Sequence, residues 1–176
     1  SAEESNSVYD DIFKQYACGK ASVLFPKLEI LAGQPGAGKT TILELITKSF
    51  SPEEQPVIVS IDDLRDFHLF AGVIFNQHPF EFALYTNEEA WTWTSRLLTE
   101  ARQTKNNVVY ETTLRVASPI EVIINAFQTA GYSADLNALA VNSKERVQGI
   151  YKRYETQIRF KEAPRWTPII EFHDGT

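Results

Sequence analysis

Gly33-Gln34-Pro35-Gly36-Ala37-Gly38-Lys39-Thr40 lies between an apolar run, Leu28-Glu29-Ile30-Leu31-Ala32, and a helix-forming one, Thr41-Ile42-Leu43-Glu44-Leu45-Ile46. In that setting it fits the Gly-x-x-x-x-Gly-Lys-Thr pattern of a phosphate-binding loop between a strand and a helix. Glycines admit positive φ, so successive backbone N–H groups can turn inward on an anion. Lys39 brings a positive charge to the outer phosphates, and the Thr40 hydroxyl suits Mg²⁺. The helix that follows aims the positive end of its dipole at the same place. The chain is therefore expected to hold a nucleoside triphosphate in a cradle of Gly33, Gln34, Pro35, Gly36, Ala37, Gly38, Lys39, Thr40 and the adjoining Thr41.

Composition narrows the class of protein. The 176 residues suit a single domain across 1–176, with 1–27 as a helical segment packed on or preceding its core. The one cysteine, Cys18, has no internal partner, which fits a reducing, cytoplasmic compartment and a packing role. No apolar run reaches the length of a membrane span, and no charged-then-apolar leader opens the sequence. A net charge of −6 and a pI near 5.1 argue against a broad nucleic-acid surface. Neither nucleic acid nor membrane is expected as a partner. Lys144, Arg146, Lys152, Arg153, Arg159, Lys161 and Arg165 crowd the last third, mostly as a solvated helix face.

Strand-like and helix-like segments alternate, which predicts an α/β domain of the phosphate-loop NTPase type, a mostly parallel sheet flanked by helices. Ser7 to Ala17 reads as a helix capped by Ser7, with Tyr9, Ile12, Phe13 and Tyr16 on one side. Strands are expected at Leu28 to Ala32, Pro56 to Ile61, Val108 to Tyr110 and Ala134 to Val141. Asn87 to Gln103 reads as a helix with Glu88 and Glu89 in its first turn. Ser118-Pro119-Ile120-Glu121 is a capping box whose helix closes at Gly131, and Asn142 with Glu145 opens a last helix to about Phe160.

Parallel sheets bind ligands at the carboxyl ends of their strands. The second strand delivers Asp62-Asp63-Leu64-Arg65 to that rim, and the third delivers Glu111-Thr112-Thr113-Leu114-Arg115. Asp62 taken alone also reads as a helix N-cap. Beside a phosphate loop it reads as the group that accepts a hydrogen bond from an acceptor hydroxyl and orients it. Positioning that hydroxyl is the larger part of the role. Glu111 and Arg115 would hold the acceptor or help place the metal, while Arg153 and Arg165 could close over the triphosphate. GTPases need an Asn-Lys-x-Asp tetrad, and Asn142-Ser143-Lys144-Glu145 reads better as a helix cap. Motor ATPases need a long apolar strand ending in Asp-Glu, whereas this one ends Tyr110-Glu111-Thr112. A small-molecule kinase fits best. A kinase for an antibiotic, nucleotide or dinucleotide, or a module that binds ATP without transferring phosphate, stays open.

Taken in order, these motifs resemble the zeta toxin family, phosphate-loop kinases of bacterial toxin–antitoxin systems. The resemblance runs from about Leu28 to Asp174. It rests on the loop, on Asp62-x-x-Arg65-x-x-His68 and on Glu111-Thr112-Thr113-Leu114-Arg115, then on Arg153-Tyr154-Glu155, Arg165-Trp166-Thr167-Pro168 and His173-Asp174. It implies transfer of phosphate from ATP, with Mg²⁺, to the 3′-hydroxyl of the amino sugar in UDP-N-acetylglucosamine or a related UDP-sugar, which would starve cell-wall synthesis. By position it implies a catalytic set of Asp62, Lys39, Arg153 and Arg165 and metal contacts from Thr40 and Asp62. It places Arg65, His68, Glu111, Thr113 and Arg115 against the UDP-sugar. A small helical antitoxin is the implied partner. His68 is followed by Leu69 where the family commonly has Pro, and a separate His78-Pro79 pair occurs further on. Spacing from Asp62 favours His68, leaving His78 as a loop residue.

Overall fold

The computed structural model of the chain describes residues 2–113, 118–140, 142, 148, 149 and 151. Four strands are formed: β1 (Lys27–Gly33), β2 (Val57–Ser60), β3 (Val108–Thr112) and β4 (Ser133–Leu139). They pair in parallel in the order β2-β3-β1-β4. Leu28, Ile30, Val57, Val59, Val108 and Tyr110 are buried, as the near-continuous apolar runs of a sheet covered on both faces require. The helices are α1 (Ala2–Tyr16), α2 (Lys39–Lys48), α3 (Ile61–Leu64), α4 (Ala71–Gln77), α5 (Phe82–Tyr85), α6 (Asn87–Gln103) and α7 (Ser118–Thr129).

The element boundaries differ from the sequence reading in instructive ways. α1 begins at Ala2, well before the Ser7 cap. Its first turns are held by tertiary bonds, since Trp93 Nε1 donates to Ser5 Oγ and Arg96 Nη1 donates to Asn6 Oδ1. Tyr9 and Ile12 are fully buried and the Arg96 guanidinium stacks on the Tyr9 ring, so α1 belongs to the core. Each such buried side chain contributes about 1.5–3 kcal/mol. β2 stops at Ser60 because Ile61 already starts a helical turn, whereas β3 runs on to Thr112. No element is legible between Arg65 and Asn87, where the chain forms a 3₁₀ turn at Arg65–Phe67 and then α4 and α5. The last helix expected from Asn142 falls largely outside the described residues, of which Gln148, Gly149 and Tyr151 are helical.

The amino ends of the strands are tied together by main-chain partners. α7 closes as foreseen at Gly131 (φ 85), with Gly131 N–H on Gln128 O and Tyr132 N–H on Phe127 O. That is a Schellman ending, and its usual apolar contact is the Phe127–Tyr132 ring pair. α6 ends the same way on a non-glycine, Lys105 (φ 58), whose ammonium donates to Ala130 O at the end of α7. Two buried asparagines do the rest. Asn106 Nδ2 donates to the Lys20 and Ala21 carbonyls. Asn107 accepts from Lys27 N–H at 2.9 Å and donates to Glu54 O at 2.9 Å, joining the starts of β1 and β2 to β3. Replacing Asn107 by Ala leaves both main-chain groups without that partner, and we expect a loss of about 2–4 kcal/mol. Urea unfolding should show the midpoint falling with m unchanged, and Asn107→Asp, which keeps only the acceptor, should lie between the two.

Candidate active site

The phosphate loop takes the shape its glycines allow. Gly36 and Gly38 both sit at φ 82, and Gly38 precedes the first turn of α2 in the left-handed region. Gly33 is closely enclosed instead, since a Cβ there would meet Leu139 Cβ at 3.2 Å and Lys39 Cγ at 3.4 Å. The loop curls round its own lysine, whose Nζ donates to Gly33 O at 2.8 Å and Gln34 O at 3.4 Å. Ala37 is buried beneath, while Gln34, Thr40 and Thr41 face solvent.

Topology decides what stands beside this loop. From β1 the chain passes through α2 to β2, on the far side of β3; from β3 it passes through α7 to β4, on the far side of β1. The two departures diverge, so the crevice between the ends of β1 and β3 is the switch point where open α/β sheets bind ligands. Lys39 Nζ lies there, 3.7 Å from Glu111 Oε1. Burial pushes the Glu111 carboxyl above its ordinary value; Lys39 pulls it down, and the nearby carboxylates of Asp63 and Asp62 push it up again. Glu111 therefore senses both acids from the end of β2 as well as the loop lysine. Asp62 occupies the single turn of α3 with its side chain 57% exposed, so it does not cap that helix, whose N-cap is Ser60.

The remaining expected residues separate into groups. Arg65 is buried, with each guanidinium nitrogen bonded inside the chain. His68 Nε2 lies 2.8 Å from Glu89 Oε2, while its Nδ1 accepts from Phe70 N–H. Thr113 is exposed just past β3. His78 is exposed at the end of α4 and packs edge-on against Tyr85, as a loop residue would. Arg115, Arg153 and Arg165 lie outside the described residues. Gly149, by contrast, was not legible as part of this region. A Cβ on it would lie within 3.1 Å of Gly36 Cα, so the backbone of Gly149 sits close against the phosphate loop. The only available signal was a glycine inside an otherwise helix-forming stretch.

The donor set fits a nucleotide: two left-handed glycines, a third tightly approached by its neighbours, and a lysine aimed along the loop. Among the described residues no group of three or more His, Cys, Asp and Glu is placed to hold a metal unaided. Mg²⁺ commonly takes one or two protein oxygens and completes its shell with water and phosphate oxygens. Among the described residues, no helix is long and apolar enough to cross a membrane.

A parallel sheet with a phosphate loop after β1, and acids at the ends of its neighbours, defines a phosphate-loop α/β protein with a kinase-like fold. The zeta toxin family model matches residues 11–175, and the chain belongs to that family. Toxin PezT of Streptococcus pneumoniae serotype 4 is 28% identical over 137 residues, 78% of this chain and 53% of PezT. The chain thus spans about half the length of that relative. A solved structure from the PezAT chromosomal toxin–antitoxin system of the same species superposes with a TM-score of 0.83 at 24% identity, covering 91% of this chain and 65% of that one. A provisionally assigned kinase of Chloroflexus aurantiacus gives 0.54 at 20% identity over 76% and 69%. At these identities the superpositions speak for the fold.

The burial of Glu111 is expected to make stability depend on pH. With its folded pKa raised above the ordinary carboxylate value, Glu111 favours folding when protonated and opposes it once ionised. The penalty grows as pH rises from the ordinary value through the raised one and is complete above it. Glu111→Gln should therefore be more stable than the native chain near neutral pH, with the gain shrinking toward zero below about pH 4. Urea midpoints of both proteins across that range check the sign.

Proposed function

We propose that the protein is a small-molecule kinase that transfers the γ-phosphoryl group of ATP to a UDP-activated amino sugar, at the 3′-hydroxyl of N-acetylglucosamine in UDP-N-acetylglucosamine or a close relative. The supporting observation is the meeting of Lys39 and Glu111, 3.7 Å apart at the switch point, within electrostatic range of Asp62. Phosphoryl transfer needs charge neutralised on the phosphate and an acceptor oxygen held in line. Lys39 and the loop backbone meet the first need. Asp62, exposed at the rim, accepts a hydrogen bond from the acceptor hydroxyl and takes its proton as the new P–O bond forms and the bond to ADP breaks. Glu111 stands between the two and, with Thr113 and Arg115, holds the acceptor. Arg153 and Arg165 cover the phosphates. Thr40 and Asp62 would hold Mg²⁺, which when bound offsets charge on the phosphate oxygens.

The chain works as one phosphate-loop kinase unit in the cytoplasm, where ATP and nucleotide sugars meet. Membership of a toxin family, with a relative named as a toxin and a superposable structure from a toxin–antitoxin system, favours a small antitoxin protein as its restraining partner.

The test is incubation with ATP, Mg²⁺ and a panel of UDP-sugars, followed by mass spectrometry. One added phosphate on UDP-N-acetylglucosamine is the expected product, and no gain on any UDP-sugar would remove the acceptor assignment. Asp62→Asn should keep its affinity for metal-free ATP while transfer with Mg²⁺ falls about 10²–10⁴-fold. Lys39→Ala should lose ATP binding itself, read by calorimetry.

A further inference from the structure

We propose that Arg65 is a positioning residue for Asp62, fastening that carboxylate to the corner between α5 and α6 and not contacting substrate. The role rests on Asp62 acting as the group that orients the acceptor hydroxyl. Its origin is a local weakness. Asp62 sits on α3, a helix of one turn from Ile61 to Leu64, which has too few internal hydrogen bonds to hold an exposed side chain to one direction. Something outside the turn must do so.

Arg65 lies one turn on from Asp62 and is only 8% exposed. Its Nε faces Asp62 Oδ1 at 3.4 Å. Nη1 donates to Ala83 O at 2.7 Å and to Thr86 Oγ1 at 3.2 Å, and Nη2 donates to Asn87 Oδ1 at 3.1 Å. Thr86 is fully buried and its hydroxyl proton goes to Phe82 O at 2.8 Å, which leaves the oxygen lone pairs for Arg65. One edge of the guanidinium is thus set in a cage of neutral oxygens, and the other edge is presented to the carboxylate. A buried cation is costly unless every donor is engaged, and here the engagement fixes the plane of the fork. A second fastening lies three residues further on, where His68 is bonded to Glu89 of α6. The segment from Asp62 to His68 is therefore held at two points on the start of α6, and Asp62 inherits its position from that helix.

Lysine could supply the charge but not the fork, and Asn87, exposed at the start of α6, can be changed without disturbing the core. The experiment compares the native chain with Asn87→Ala, Arg65→Lys, Asp62→Asn and the Arg65→Lys/Asp62→Asn double variant, using UDP-N-acetylglucosamine as acceptor, with crystal structures of the first two variants. Asn87→Ala should lower kcat about tenfold and Arg65→Lys about 10²-fold, with KM for ATP unchanged, the loss expected of an ångström-scale misplacement. In the double variant, Arg65→Lys should add nothing to the loss from Asp62→Asn, and both crystal structures should show the Asp62 carboxylate displaced. Additive losses in the double variant overturn the proposal, because they mean Arg65 acts on its own. An unmoved Asp62 in Arg65→Lys overturns it as well. That structural readout holds even if the native chain transfers no phosphate to a UDP-sugar, a result that counts against the kinase assignment and not against the fastening.

Discussion

Parallel pairing of β1 with β3 is the constraint on which the rest of the molecule depends. With Leu31 opposite Glu111 and Ala32 opposite Thr112, the loop leaving β1 and the residues leaving β3 start at the same height, one strand spacing apart. The chain then departs in opposite directions, and among the described residues Lys39 and Glu111 reach back across the gap. A slip of one residue would carry Glu111 to the opposite face of the sheet and leave the loop lysine without its acid. β2 is held to the same register, with Ser60 opposite Glu111, so Asp62 comes to the rim two residues later.

The two ends of the sheet follow different rules. At the amino ends of the strands polar groups are paired off: Asn106, Asn107 and the Tyr132 hydroxyl each serve main-chain groups from other segments. At the carboxyl ends a carboxyl group is kept half-buried against its ordinary ionisation, beside a cation and two further acids. Polar groups at the first end are satisfied within the fold, whereas the second carries a carboxyl group disfavoured by burial.

How much of this could be read from the chain follows from the range of each interaction. The loop, the four strands and the acids at the ends of β2 and β3 were legible, because each is announced by neighbours a few residues away. The turns from Arg65 to Tyr85 were not, since helices of four to seven residues carry no usable period. Their anchors, the bonds from Arg65 to Ala83, Thr86 and Asn87, span about twenty residues and leave no local trace. For the same reason the intrachain partners of Arg65 and His68 could not be read from their motif: a motif shows that a residue matters, not which atoms it faces. The early start of α1 was hidden likewise, its support coming from Trp93 and Arg96 on α6.

The central place of β1 also sets an order in time. Lys27–Gly33 is made before both of its neighbours, Val108–Thr112 and Ser133–Leu139. A chain still being synthesised carries the phosphate loop before either flank of the supporting strand exists. Contacts so distant in sequence form slowly, because the intervening chain must be closed into a loop first. A nascent chain halted before β4 would hold Gly33 without Leu139 beside it. The nucleotide cradle is therefore translated before the two strands that support it and gains that support only when they have been made.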